Sequence, residues 1–476
     1  MDYGFLSILP PLVAILLALI TREVYLSLFG GVLIGEMIIS GYDIFSSIDS
    51  SLNRIIFMFS EPWFVKTLIF AILVGSIIVL ILASGGVAGF VEYVTTKYKK
   101  INTKRGSLLF AFGLGAMMFV ESSITALISG TVAKPITDKC KVSREKLAFV
   151  CDSVSAPICS LIPLNAWGAL LLGLIGAQVA AGVLNENPID VLLNALLFNF
   201  YSMSAIVLLL VVIISGKDFG PMKKAEERAE KEGKLIRDGA VPVVDEDMIN
   251  IKAELVKKPD ILNMILPLGV LVAMVPIGLY ITGKGDFLKG SGSTAVFWAV
   301  LTSIAFSGFF YISRGVMKIN EFIKYVNKGA GAMMPVAMIL VLAFAIGSLT
   351  VDMKAGEYLA SLLKDVMNPQ MAAALIFVLA SIISFSTGTS WGTFSIMMPI
   401  AIQLSVAIDS NIYLAVAAVI SGGVFGDHCS IISDTTIVSS MAAGSDHVDH
   451  ANTQLPYGLL SAFISFVLFV IFGFVL

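Results

Sequence analysis

Between Val424 and Gln454 the chain crowds Asp427, His428, Asp434, Asp446, His447, Asp449 and His450 into one stretch, VFGDHCSIISDTTIVSSMAAGSDHVDHANTQ, which holds all three histidines of the 476 residues. The flanking sequence is strongly apolar. An ionisable group at membrane depth is costly and therefore reads as functional. Three other polar runs interrupt apolar segments: Phe119-Val-Glu-Ser-Ser123, Cys151-Asp-Ser-Val-Ser-Ala-Pro157 and Ser384 to Thr393, SFSTGTSWGT. Two of the four share the spacing Asp-x-x-Ser, as Asp152/Ser155 and Asp427/Ser430.

Carboxylates and hydroxyls are the hard oxygen ligands a small cation such as Na+ needs. Glu121, Ser122, Ser123, Asp152, Ser153, Ser155, Thr387, Thr389, Ser390, Asp427, Ser430, Ser433, Asp434 and Thr435 are the candidates. Burial and a neighbouring acid both disfavour the charged form of a carboxyl group. Such an acid can exchange a proton for Na+ at one site. Structural roles stand beside the chemical ones. Glu121 would also serve as partner to a buried backbone group, and Asp152 and Asp427 as helix N-caps, which is compatible with ion binding. Asn165, Trp167 and Trp391 would either line a pocket for an organic solute or simply pack. Glu36 reads as a helix–helix contact. His447 and His450 are three apart, a spacing that can hold zinc on a helix, but no third ligand follows at a diagnostic spacing. Asp446, His447, Asp449 and His450 otherwise read as a proton-sensing, gate-side cluster or a solvated loop, since histidine titrates near neutral pH.

The elements that must position these residues are membrane helices. The chain is 57% hydrophobic and 14% charged with mean hydropathy +0.92, whereas soluble domains carry about 25% charged residues. A net charge of −3 gives no basis for a nucleic-acid partner. MDYGFLSILPP lacks a basic region and a cleavage site and reads as the start of the first span. Cys140, Cys151, Cys159 and Cys429 have no CxxC spacing, so no disulfide framework is expected.

A span takes about 20 apolar residues. Spans are expected near 5–20, 24–40, 67–84, 147–181, 191–214, 261–283, 295–312, 331–350, 411–440 and 456–476. The apolar stretch 107–133 has basic clusters at both ends, and positive charge stays cytoplasmic, so it should enter and leave on one side as a re-entrant hairpin. Reading 371–405 likewise puts 85–106, 134–146, 215–260 and 313–330 inside and both termini outside. Then 25 Lys and Arg fall inside and six (Arg54, Lys66, Lys284, Lys289, Lys354, Lys364) outside. Residues 85–100 and 352–367 are expected as amphipathic interfacial helices. The fold expected is thus an all-α polytopic membrane protein of two inverted-topology repeats. The first, 1–214, has five spans, the hairpin at 107–133 and a broken helix at 147–181. A charged, solvated cytoplasmic linker, 215–260, follows. The second, 261–476, has five spans, the hairpin at 371–405 and a broken helix at 411–440. Discontinuous helices meeting at the midplane would supply free carbonyls and helix ends for ions.

GDHCSIISDTT followed by AAGSDHVDHANTQLPYGL, together with SFSTGTSWGTFSIMMPIAI and CDSVSAPICSLIPLNAWGA, closely resembles the Na+/H+ antiporter family C (NhaC) of the ion transporter superfamily. The resemblance implies paired inverted repeats, re-entrant hairpins, a bacterial or archaeal inner membrane, and a homodimer whose transport domain moves elevator-fashion against a scaffold. It also implies that Asp152, Asp427, His428 and Asp434 belong to a central site.

Three readings follow. The first is a secondary active transporter exchanging Na+ for H+. The second is a Na+- or H+-coupled carrier of a small organic solute, an amino acid or carboxylic acid. The third is a membrane-embedded metalloenzyme. No Walker A sequence occurs, so transport must draw on an ion gradient. No cofactor is expected beyond Na+ and H+ as transported or coupling ions, and the partners expected are membrane lipid and the transported cation or solute.

Overall fold

A computed structural model describes residues 3–21, 23–97, 101, 103–117, 119, 122–163, 165–242, 259–285, 290–355, 358, 368–431 and 433–476, with only the backbone at 18, 19, 24, 63, 91, 94–97, 123, 124, 127, 335, 336, 343 and 434. Among these residues all regular structure is helical. Eight helices are long and apolar enough to cross a membrane, so the chain is a polytopic membrane protein.

The first part runs α1 (Leu9–Thr21), α2 (Val24–Ile39), α3 (Ile44–Met58), α4 (Pro62–Ala83), α5 (Gly86–Lys97), α6 (Lys104–Met117), α7 (Ser122–Lys139), α8 (Arg144–Ser153), α9 (Ala156–Cys159), α10 (Ala166–Ala180), α11 (Pro188–Leu196), α12 (Phe200–Ser215) and α13 (Gly220–Lys231). The second runs α14 (Leu262–Thr282), α15 (Gly292–Ser313), α16 (Ile319–Ala332), α17 (Met334–Asp352), α18 (Ala372–Thr387), α19 (Ser390–Ala407), α20 (Ile412–Cys429), α21 (Asp434–Ala443) and α22 (His447–Val475).

The stretches expected as hairpins are each occupied by two helices packed on one another, α6/α7 and α18/α19. The second turns at Gly388, whose φ of +70° is a left-handed conformation that glycine adopts without a Cβ penalty. The stretch 147–181 holds α8, α9 and α10, and 411–440 holds α20 and α21. The packing of these parts is reciprocal. The first arm of each hairpin lies on the first piece of the following broken helix, α6 on α8 and α18 on α20. The second arms cross over: α7 packs on α21 and α19 on α10. Four interrupted elements therefore meet in one place.

Several expectations are corrected. The expected span 191–214 lies in one candidate span, Pro188–Lys231, interrupted between α11 and α12, where Asn199 binds sideways: its Nδ2 donates to Ser160 Oγ (3.1 Å) and its Oδ1 accepts from Ser421 Oγ (3.0 Å). The first span begins only at Leu9, after a 3-10 turn, Gly4–Ile8. The last helix reaches back to His447, so the SDHVDH run is not a free loop: Asp446 caps it and His447, Asp449 and His450 form its first turn. Residues 313–330 contain α16 rather than a loop, and α3 lies in a stretch with no expected element. Of the two interfacial segments, 85–100 contains α5, packed on α14, while most of 352–367 lies outside the described residues.

The stretch 215–260 is not simply solvated. Over 216–242 it folds onto the helix ends, with Met222, Ala225 and Ala229 of α13 buried. Arg228 donates to both Glu145 oxygens (2.9 Å each), and Lys146 pairs with Asp218. Small alanines make a face that hydropathy underrates. Glu36 is a helix–helix contact as expected, with Arg54 Nε 2.6 Å from its Oε1. Arg54 also reaches Asp352 Oδ2 (2.7 Å) and Ser348 Oγ (3.0 Å), joining α2, α3 and α17. All four cysteines are free thiols.

Candidate functional site

The end of α20 carries Asp427 and His428 into the second break, and the end of α8 carries Asp152 and Ser153 into the first. All four are buried. Asp427 Oδ2 accepts from Ser390 Oγ at 2.6 Å, at the first residue of α19, and its Oδ1 accepts from Ser433 Oγ at 2.5 Å, with Thr435 Oγ1 at 3.5 Å. Ser433 and Thr435 hydroxyls are 3.0 Å apart. One carboxylate and three hydroxyls thus converge from the hairpin tip and both sides of the break. Each hydroxyl that donates to the acid keeps two lone pairs, which can turn to a cation.

Asp152 has its own partners. Its Oδ2 accepts from Thr436 Oγ1 (3.1 Å) and Gln454 Nε2 (2.7 Å), and Ser155 Oγ is 3.5 Å from Oδ1. Thr436 Oγ1 also lies 3.5 Å from the Asp427 carbonyl oxygen, and Gln454 Nε2 donates to the His428 carbonyl. The two acids therefore occupy adjoining compartments, bridged by Thr436 and Gln454. His428 is held at both nitrogens, Nε2 3.0 Å from Ser153 Oγ and Nδ1 2.8 Å from Tyr201 OH.

Other candidates have local duties. Thr387 Oγ1 donates to Ile383 O within α18 (2.9 Å), and Thr389 caps α19 by accepting from Gly392 N. Ser430 Oγ donates to Phe385 O (2.8 Å). Asn165 is wholly committed: it caps α10 by accepting from Gly168 N (3.1 Å) and donates to Phe119 O (2.9 Å) and Cys159 O (2.8 Å). Ser122 opens α7 and is buried. Glu121 lies outside the described residues, as do the side chains of Ser123 and Asp434.

Trp167, near the start of α10, and Trp391, near the start of α19, face each other with ring centroids 6.0 Å apart, and Phe394 is 5.8 Å from Trp167. The buried Trp167 Nε1 has no hydrogen-bond partner. His447 and His450 do not point at a shared metal position; both present Nδ1 to Ser440 Oγ, at 3.1 and 2.8 Å. Among the described residues no group of three His, Cys, Asp or Glu is placed to hold a metal.

Sequence reasoning did not single out Thr436, Gln454, Ser440 or Tyr201. Gln454 carried a signal: it lies four residues after His450 and seven after His447, on the same helix face. Tyr201 carried none, since its partner is 227 residues away.

Buried acids where interrupted helices of a polytopic membrane protein meet are the setting in which secondary transporters bind their ions. The chain belongs to the Na+/H+ antiporter family, whose model matches residues 158–474. A Haemophilus influenzae protein of uncharacterised function is 32% identical over 98% of this chain and 91% of its own length. The malate-2H+/Na+-lactate antiporter of Bacillus subtilis is 29% identical over 23% of this chain and 24% of its own. The Na+/H+ antiporter NhaC of Alkalihalophilus pseudofirmus is 28% identical over 23% and 24% respectively. Among solved structures, Neisseria gonorrhoeae MtrF, described within a class of antimetabolite efflux pumps, superposes with TM-score 0.58 at 14% identity, covering 90% of this chain and 85% of its own. That last likeness concerns the fold alone.

Proposed function

We propose that the protein is a secondary active transporter that exchanges Na+ for H+ at the junction of the two breaks. The observation that carries this is the Asp427 compartment, where a buried carboxylate meets Ser390, Ser433 and Thr435. A cation and a proton compete for the same oxygens, and Asp152, bridged through Thr436, is the second acid of the exchange. Family membership supports the ion class.

The crossed packing of α7 on α21 and α19 on α10 supports halves 1–214 and 261–476 as inverted repeats, with α6/α7 and α18/α19 as re-entrant hairpins. On this reading 215–260 is cytoplasmic, both termini are outside, and the protein sits as a homodimer in a bacterial or archaeal inner membrane. The site moves across the bilayer elevator-fashion.

A second reading, coupled transport of a small organic acid or amino acid, is favoured by one observation. The first turns of α10 and α19 meet at Trp167 and Trp391, and helix N-termini favour anions, while the Trp167 N–H awaits an acceptor. The partial likeness to the malate/lactate antiporter agrees with it.

Purified protein in liposomes with an imposed proton gradient decides between them. Na+ or Li+ alone should collapse the gradient. Collapse only after adding a carboxylic or amino acid would replace the first reading by the second.

A further inference from the structure

His447 and His450, which meet at Ser440, are not consumed by the ion site, and the hydrogen bonds there do not balance. Gln454 Nε2 faces the His428 carbonyl, which can only accept, as well as Asp152 Oδ2 (2.7 Å), so the carbonyl fixes the orientation of its amide. Its Oε1, 2.8 Å from His450 Nε2, must then accept from that nitrogen. His447 Nε2 lies 2.5 Å from the carbonyl of Ile431 and must donate there. In neutral rings both Nδ1 atoms are consequently bare acceptors. Both face the Ser440 hydroxyl, which also lies 2.8 Å from Thr436 O. One hydroxyl proton thus confronts three acceptors. A single added proton satisfies both rings: one ring donates Nδ1–H to Ser440 Oγ, and Ser440 donates to the other ring, leaving only Thr436 O, a helix carbonyl that the backbone ladder of α21 already serves.

We propose that His447, Ser440 and His450 form a proton-binding latch whose occupancy sets how firmly α22 is clamped across both breaks through Gln454. This rests on the transport reading only for what the clamp controls. His450 is fully buried while His447 is partly exposed at the helix start, so His447 is the entry point. Asp446 and Asp449 flank it on α22; Arg237, from the strap after α13, binds Asp449; and Arg228 of α13 binds Glu145 of α8. Arg144 and Lys134 border the Gly444 turn, with Arg144 paired to Asp138, and His428 lies beyond on α20. Four acids meet four bases, which leaves the hydrogen-bond count to decide.

Adding the proton aligns every donor from His447 to Asp152, and aligned hydrogen bonds strengthen one another. The clamped arrangement is the one that binds the proton, so acid favours it and that support is lost as pH rises through the histidine range. Transport should slow on acidification of the His447 side.

With only three histidines in the chain, histidine-selective isotope labelling and solid-state NMR in lipid resolve each ring. In the wild type, the His447 and His450 signals should shift together when the sample is acidified, and in Ser440→Ala they should not. Independent responses of the two rings in the wild type overturn the latch, whatever the protein transports. In liposomes of known orientation, the latch should add up to about tenfold per pH unit, the limit for one proton, to the fall of wild-type flux that direct H+ competition at Asp427 already gives. His447→Gln should abolish this step while keeping alkaline flux within about twofold. A His447→Gln profile that reproduces the wild type also overturns it. Absence of ion flux in the wild type strikes the transport reading and leaves the NMR result to judge the latch.

Discussion

Ser390→Ala tests the ion site at its narrowest point. The hydroxyl sits 2.6 Å from Asp427 Oδ2 and comes from the hairpin, whereas Ser433 and Thr435 come from the break itself. Hydrogen bonds to charged groups contribute about 1.5–3 kcal/mol, and 1.4 kcal/mol is about a factor of ten in affinity. Removing this oxygen should therefore raise the Na+ concentration for half-maximal flux by about 10- to 100-fold. Maximal flux at saturating Na+ should change little, because the exchanging carboxylate remains. The assay is a pH-sensitive dye inside liposomes, titrated with external Na+ at fixed pH. Thr387→Val is the matched control: that hydroxyl is spent on Ile383 O in its own helix, so half-saturation should stay within about twofold. The reasoning fails if Ser390→Ala leaves half-saturation unchanged, or if Thr387→Val shifts it equally.

Four further outcomes are expected. Asp152→Asn and Asp427→Asn should each abolish proton-coupled flux while the protein still elutes as a folded species from size-exclusion chromatography; pH-dependent cation flux in both would remove the acids from the exchange. Arg54→Met leaves buried Glu36 without its cation, a change costing about 3–5 kcal/mol. Its unfolding temperature in detergent should drop, and Glu36→Met in the same chain should recover most of the loss. At Gly426 an added Cβ would lie 2.3 Å from the Phe385 backbone nitrogen, so Gly426→Ala should force α18 from α20 and cut the yield of folded protein; normal yield and flux would contradict that packing. Trp167→Phe removes an N–H that has no partner, so stability should change by less than about 1 kcal/mol. Loss of response to an organic acid in that variant would favour the second transport reading.

Local physics made much of this legible in the chain itself. Hydropathy fixes that 476 residues with 14% charge must live in lipid, and polar runs inside apolar segments mark where helices stop, because free backbone in lipid needs a protein or water partner. Hence the breaks after Ser153 and Cys429 and the turn at Gly388 fall where polarity and glycine put them. The same local signal fell short where a polar residue looked idle or a helix face was built from small residues: Asn199 interrupts 191–214, and alanines dock α13. Tertiary structure alone decided which oxygen serves which acid. Asn165 and Thr389, which look like ligands in sequence, also cap helices, while Thr436 and Gln454 tie Asp152 to its neighbours. Spacing along a chain governs contacts within one helix turn, but Gln454 and Asp152 stand 302 residues apart, and only the crossing of helices from both halves brings such donors to an acid.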